Sequence, residues 1–280
     1  MIKYTEADPI TSWNAFSRFA RHFKSKKNWI FRGQSTWSWP LSTNLERLAR
    51  DYDIDADKLP NIEQGLIRKF KRHYSHFAKH VPDDRDYMEW LSIMQHYGAP
   101  TRLLDFTYSI FVALYFAVID SKMQHKSAIW CIDSDWINRK YANNTKTNYK
   151  QIIKNDKALR YLESNIVVLN DKITSVYCPS AFHLNRRLTV QQGTFIMPTN
   201  STKPFMRNLN EMLTIPSESS KILKAKLVLN KSFFEEALYN LYRMNITTAS
   251  LFPGIIGFAK YLRMLTKIPN TIMSATDIFL

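Results

Sequence analysis

Glycine is scarce, with 6 residues in 280. Neither G-x-G-x-x-G nor G-x-x-x-x-G-K-[ST] occurs, which excludes the two common Gly-rich phosphate cradles. Cysteine is scarcer: Cys131 and Cys178 stand far apart, match no metal-ligand spacing and make no disulfide framework. A reducing cytoplasm is therefore the expected compartment, and no metal is expected. Long apolar runs are missing too. The densest, residues 110–119, is too short to span a bilayer, and residues 1–10 lack the apolar core of a signal peptide, so no membrane partner is expected. No repeat and no Pro/Gly/Ser linker divides the chain. One domain is expected, with an N-terminal helix in 1–27, a core over 28–262 and a tail over 263–280. Acidic residues are few: 24 Asp and Glu face 39 Lys and Arg, for a formal charge of +15. Such an excess favours a polyanionic partner, or serves solubility alone.

What is present begins with aromatic and basic residues. Residues 5–24 place Trp13, Phe16, Phe19 and Phe23 at helical spacing. Residues 28–33 form a short strand and 44–50 a helix, followed by an acidic loop over 51–61. Residues 62–80 form a helix that interleaves Arg68, Lys69, Lys71 and Arg72 with Phe70, Tyr74 and Phe77. Basic groups neutralise phosphates and aromatic rings stack on bases, so this helix is the candidate nucleic-acid surface; a merely solvated charged face is the alternative. A strand is expected over 127–133. The Asn- and Lys-rich stretch 135–157 is expected as loop, with a strand at 165–169 and two strand-like runs around Gln191-Gln192-Gly193. A strand over 220–229 and a helix over 231–243 follow.

The densest chemical information lies in residues 94–117, MQHYGAPTRLLDFTYSIFVALYFA. Gln95, His96 and Tyr97 precede an irregular Gly98-Ala99-Pro100 turn. A short apolar strand then ends at Asp105, and Thr107 or Ser109 caps an apolar helix. The segment is thus loop, strand, cap and helix, with polar side chains at a rigid junction suited to a binding or catalytic site.

Asn28-Trp29-Ile30-Phe31-Arg32-Gly33-Gln34 resembles the opening of the FRG domain. Residues 95–107, the Ala113-Leu114-Tyr115-Phe116-Ala117 run, Gln191-Gln192-Gly193-Thr194-Phe195 and residues 251–257 resemble its later motifs. The order of these motifs is in turn similar to that of ADP-ribosyltransferases, which set an Arg, a Ser-Thr-Ser strand and a Gln-x-Glu or Glu around NAD. That likeness implies an α+β fold with a split β-sheet core, flanking helices and an N-terminal helical part. It implies NAD as co-substrate, with Arg32, Gly33, Gln34, Thr107, Ser109 and Tyr115 binding it, and Asp105, Gln192 and His96 as catalytic groups. Asp stands where serine is usual, and no glutamate follows the glutamines. Structural alternatives exist for each residue: an Arg32–Asp105 ion pair, a core His96, packed tyrosines, and an Arg102 that holds loop carbonyls. Alternating faces allow only one of Gln191 and Gln192 to point into a cleft. The expected function is transfer of ADP-ribose from NAD to nucleic acid, single-stranded RNA before DNA. The family association adds a bacterial toxin role in anti-phage defence, with an antitoxin protein as partner. An NAD glycohydrolase and a non-catalytic nucleic-acid-binding module are the alternatives.

Overall fold

The structure is a computed structural model that describes residues 3–78, 80–121, 125–170, 173–180, 186–265 and 267. The chain opens with β1 (Thr5–Ile10) and α1 (Trp13–Arg21). The helix expected over 5–24 thus starts only after Ser12, whose side chain accepts from the Ala15 N–H. Thr5, Glu6, Ala7 and Ile10 pair instead with residues 223–227, and the ladder shifts register across Asp8 and Pro9. β2 (Trp29–Gln34), α2 (Asn44–Asp51), α3 (Leu59–Tyr74) and α4 (Tyr87–His96) follow. Then come β3 (Leu104–Thr107), α5 (Ile110–Val118) and β4 (Lys126–Asp133).

Residues 135–157 are not loop. They belong largely to α6 (Ser134–Asn144), α7 (Tyr149–Ile152) and the start of α8 (Asp156–Leu169). Asp133 caps α6 and Asn155 caps α8. Buried Trp136, Ile137 and Tyr141, then Leu159, Ile166 and Val167, recur at helical spacing. Tertiary burial of one face outweighs the poor helix propensity of the asparagines. The strand expected at 165–169 lies inside α8: its β-branched run splits into buried Ile166 and Val167 and exposed Val168. β5 (Val176–Tyr177), α9 (Arg186–Val190) and β6 (Gly193–Pro198) come next. Of the two strands expected around Gln191-Gln192-Gly193, the first is therefore a short helix. The chain continues with α10 (Phe205–Glu211), β7 (Ile222–Val228), α11 (Lys231–Arg243), α12 (Thr248–Leu251) and α13 (Ile255–Leu265). Most of the expected C-terminal tail lies outside the described residues.

The seven strands form one sheet in the order β1-β7-β4-β2-β3-β6-β5. All neighbours are antiparallel except β1 and β7. With helices packed on an antiparallel-dominated sheet, the architecture is α+β. Side-chain alternation divides the core. Phe31, Ile129, Cys131 and Leu227 pack with α1, α5 and α11. Their neighbours Ile30, Trp130, Ile132 and Ile222 pack with α6 and α10 on the other face. A third cluster joins α3, α4 and α8 to Phe195 and Met197 of β6.

One join is weak. β2 pairs with β4 along its whole length, Trp29 with Asp133 through Gln34 with Ala128. Against β3 it pairs only at Phe31 and Thr107. Beyond that point the strands part, and the two halves of the sheet open onto a gap. Among the described residues no helix is long and apolar enough to cross a membrane, and no group of three or more His, Cys, Asp or Glu is placed to hold a metal.

Candidate functional site

A cavity of about 600 Å³ occupies the gap between β2 and β3. Arg32 lines it. In a continuing ladder a backbone N–H of β2 would face the Asp105 carbonyl; here Arg32 Nη1 donates to that carbonyl at 2.7 Å. Arg32 Nε is buried with no partner among the described residues. Burial pushes this guanidinium below its ordinary range, with Asp105 opposing the shift and Arg47 reinforcing it. The expected Arg32–Asp105 contact therefore runs from the guanidinium to the backbone carbonyl and not to the carboxylate.

Asp105 is held by its own strand and by α4. Its Oδ2 accepts from Gln95 Nε2 at 3.0 Å, and Gln95 Oε1 accepts in turn from the Thr101 hydroxyl at 2.6 Å. The Gly98-Ala99-Pro100 turn thus sets a relay that orients the carboxylate. Arg102, in the same motif, is fully buried and pairs with Glu63 of α3, Nε to Oε2 at 2.5 Å. The structural ion pair of the motif is Arg102–Glu63.

The remaining expected residues divide. Gly33 lines the cavity, and its lack of a side chain serves packing: a Cβ would lie 1.9 Å from the Ala113 carbonyl of α5. Gln34 accepts from the Trp130 indole at 2.8 Å and donates to the Pro40 carbonyl at 3.2 Å. It thereby fixes the segment that carries Trp39, 53% exposed at the cavity rim. Thr107 borders the cavity, but its hydroxyl is spent between the Gln191 carbonyl and the Ser109 N–H. Ser109 is the cap of α5, accepting from Val112, and does not line the cavity. Tyr115 is 1% exposed and bonds Thr248 at 2.6 Å, so it is a core residue and not a ligand contact. Burial pushes its phenol up to about 12.

Gln192 is displaced from its expected place. It turns the chain with φ of 47° and is exposed, while Gln191 is buried and lines the cavity. The helical turn of α9 and the left-handed residue after it reverse the parity that a continuous strand would have given. Gln191 Nε2 donates to the Leu251 carbonyl at 2.9 Å, tying the cavity floor to α12.

His96, the last residue of α4, does not line the main cavity. It borders a small cavity of about 30 Å³ shared with Asp105, Gln95, Arg187 and Gln191. Its Nδ1 is buried without a partner among the described residues. Burial, then the nearby Arg187, lower its affinity for a proton, so the imidazole is neutral at neutral pH.

Three arginines that the motifs did not single out complete the cavity. Arg47 and Arg50 project from α2 at i, i+3, and Arg187 projects from α9 four residues before Gln191. Arg47 also donates to the Ser42 carbonyl and the Asn44 side chain, and Arg187 stacks on Phe252 at 4.7 Å. Helical spacing was the signal that could have found them. Four guanidiniums thus line the main cavity with Asp105, the only carboxylate lining the cleft cavities of the described structure.

The candidate nucleic-acid helix does not join this site. Arg68, Lys69 and Arg72 are exposed on α3 and line no part of the cleft. Lys71 is engaged structurally, packing over Tyr87 at 4.7 Å and donating to the Asp84 carbonyl.

Residues 27–126 match the FRG domain. No curated protein and no solved structure matches the chain. The FRG match covers β2 through the start of β4, and so both strands that flank the gap. Arg187, Gln191 and the α12–α13 wall lie beyond it.

Proposed function

We propose that the cleft binds NAD and transfers its ADP-ribose to nucleic acid. The observation that carries this reading is a single carboxylate, Asp105, set among four arginines in one cavity. Guanidinium groups bind phosphate oxygens through paired N–H donors and stay charged, which suits a pyrophosphate. Burial without a partner at Arg32 Nε leaves a donor for such an anion. A volume of about 600 Å³ falls within the range of small-molecule sites. Trp39 and Phe116 supply flat apolar surface for a ring.

Cleavage of the nicotinamide–ribose bond creates positive charge at C1′. At ~4 Å and an effective dielectric near 20, Asp105 attracts a unit cation by about 4 kcal/mol. If felt only in the transition state, that is roughly a thousandfold in rate. Gln191, which lines the cavity where Gln192 does not, takes the ribose hydroxyl through its carboxamide oxygen, its Nε2 being bonded to the Leu251 carbonyl. The likeness to ADP-ribosyltransferases and the parting of the sheet between β2 and β3 support the same reading. The chain's charge of +15 supports a nucleic-acid acceptor.

Calorimetric titration of the protein with NAD is the test. Binding is expected, with Arg32→Ala weakening it at least tenfold. Asp105→Asn is expected to lower nicotinamide release by roughly a thousandfold. Absence of NAD binding at millimolar concentration would end the proposal. One observation favours a second reading, a nucleotide-binding module without turnover: among the described residues no glutamate lines the cleft. NAD binding with no nicotinamide released over a long incubation would select it.

A further inference from the structure

The main cavity has a continuation. It shares Asp105, Arg187 and Gln191 with the small cavity beside His96. That neck shares His96 and Arg187 with a third, outer cavity of about 280 Å³. Asp105 lines the first two, His96 the last two, and Arg187 all three. A dinucleotide in the main cavity would meet Asp105, and a second reactant in the outer cavity would meet His96.

The outer cavity has a definite chemistry. Phe252, Pro253 and Ile256 give it apolar walls, Arg187 and Lys260 give it two cations, and among the described residues no carboxylate lines it. Its shape depends on Gly257, where a Cβ would lie 1.7 Å from the Phe252 carbonyl. Flat apolar walls under a cationic rim suit a nucleobase with its phosphate. Water as acceptor would need none of this.

Resting on the NAD reading above, we infer that the outer cavity is the acceptor site and receives one unpaired nucleotide of a single-stranded nucleic acid. Its base lies against Phe252 and Ile256, its phosphate meets Lys260 and Arg187, and His96 faces the attacking group at the neck. In the reaction the C1′–N bond to nicotinamide breaks and its electron pair leaves with neutral nicotinamide. A nitrogen or oxygen of the acceptor nucleotide forms the new bond to C1′, and its proton passes to the His96 imidazole. This places the nucleic-acid contact at the α12–α13 junction and not on α3.

Photo-crosslinking the full-length protein to a single-stranded RNA oligomer containing 4-thiouridine, with the adduct mapped by mass spectrometry, tests the site. NAD binding is measured by calorimetry on the same preparation. The expected result is NAD binding together with an adduct in residues 252–260. Ile256→Asp and Lys260→Glu, both at exposed positions, should each raise the KM for the oligomer in ADP-ribose transfer at least tenfold. NAD binding with adducts confined to α3, or with label transferred to protein only, would overturn the inference and leave the NAD site standing. Adducts in 252–260 without NAD binding would remove the acceptor role together with the NAD reading.

Discussion

At the scale of residues, the structure separates groups that touch the cleft from groups that build it. Gly33 belongs to both. Because its Cβ would strike the backbone of α5 and not a movable side chain, Gly33→Ala should cost about 3 kcal/mol, the upper end of overpacking effects, as read by urea unfolding. A loss below about 0.5 kcal/mol would show that α5 can move away. Tyr115 gives the opposite test. Removing its hydroxyl leaves Thr248 without that buried partner, so Tyr115→Phe should lower stability by about 1 kcal/mol while NAD affinity stays as it was. A fall in affinity would return Tyr115 to the binding site. Arg32 and Asp105 were legible in sequence because each follows a short apolar run, although both lie within their strands and the strand expected to end at Asp105 continues to Thr107. Gln191 was not separable from Gln192, since the difference lies in one left-handed turn whose handedness no residue type there announces.

At the scale of elements, the strands and helices with strong apolar periodicity were legible, among them β2, α5, β4 and α11. The region from α6 to α8 was not, because its helices are made by burial against the rest of the fold and not by their own composition. That region also holds a buried titratable group on which burial outweighs the opposite charge of Arg160. Glu163 of α8 is fully buried, accepts from the Ser180 N–H at 2.7 Å, and leaves Oε2 unsatisfied among the described residues. Burial pushes its carboxyl up to about 8, with Asp86 adding to the shift. An unfolded glutamate titrates near ~4.3. Between these values the folded chain keeps a proton that the unfolded chain releases, so stability is complete below the lower value and falls as pH rises to about 8. Chemical unfolding from pH 5 to 8 should show that decline, and Glu163→Gln should flatten it. Equal slopes for the two proteins would show that Glu163 does not set the pH response.

At the scale of the whole molecule, charge is the dominant property. A nucleic acid carries condensed counterions, and a chain of +15 that engages one as proposed would release them from the phosphates it contacts. Affinity for a single-stranded oligomer should fall with a slope of about −0.7 in log–log form per phosphate engaged, checked by fluorescence anisotropy across salt concentrations. A flat salt response would make the charge a matter of solubility. The excess charge was plain in the composition. Where it converges was not, because Arg32, Arg47 and Arg187 come from three separate elements that only the folded sheet brings together.

The meeting of Phe31 with Thr107 is the sole stitch between two leaves of backbone, and beside it the seam is closed by a side chain. A guanidinium exchanges partners far more readily than a strand does. An anion that draws Arg32 away from the Asp105 carbonyl would therefore unfasten the seam as it binds. The amide hydrogens flanking that seam would then trade with deuterium faster in the occupied protein than in the empty one, the reverse of the protection ligands usually confer.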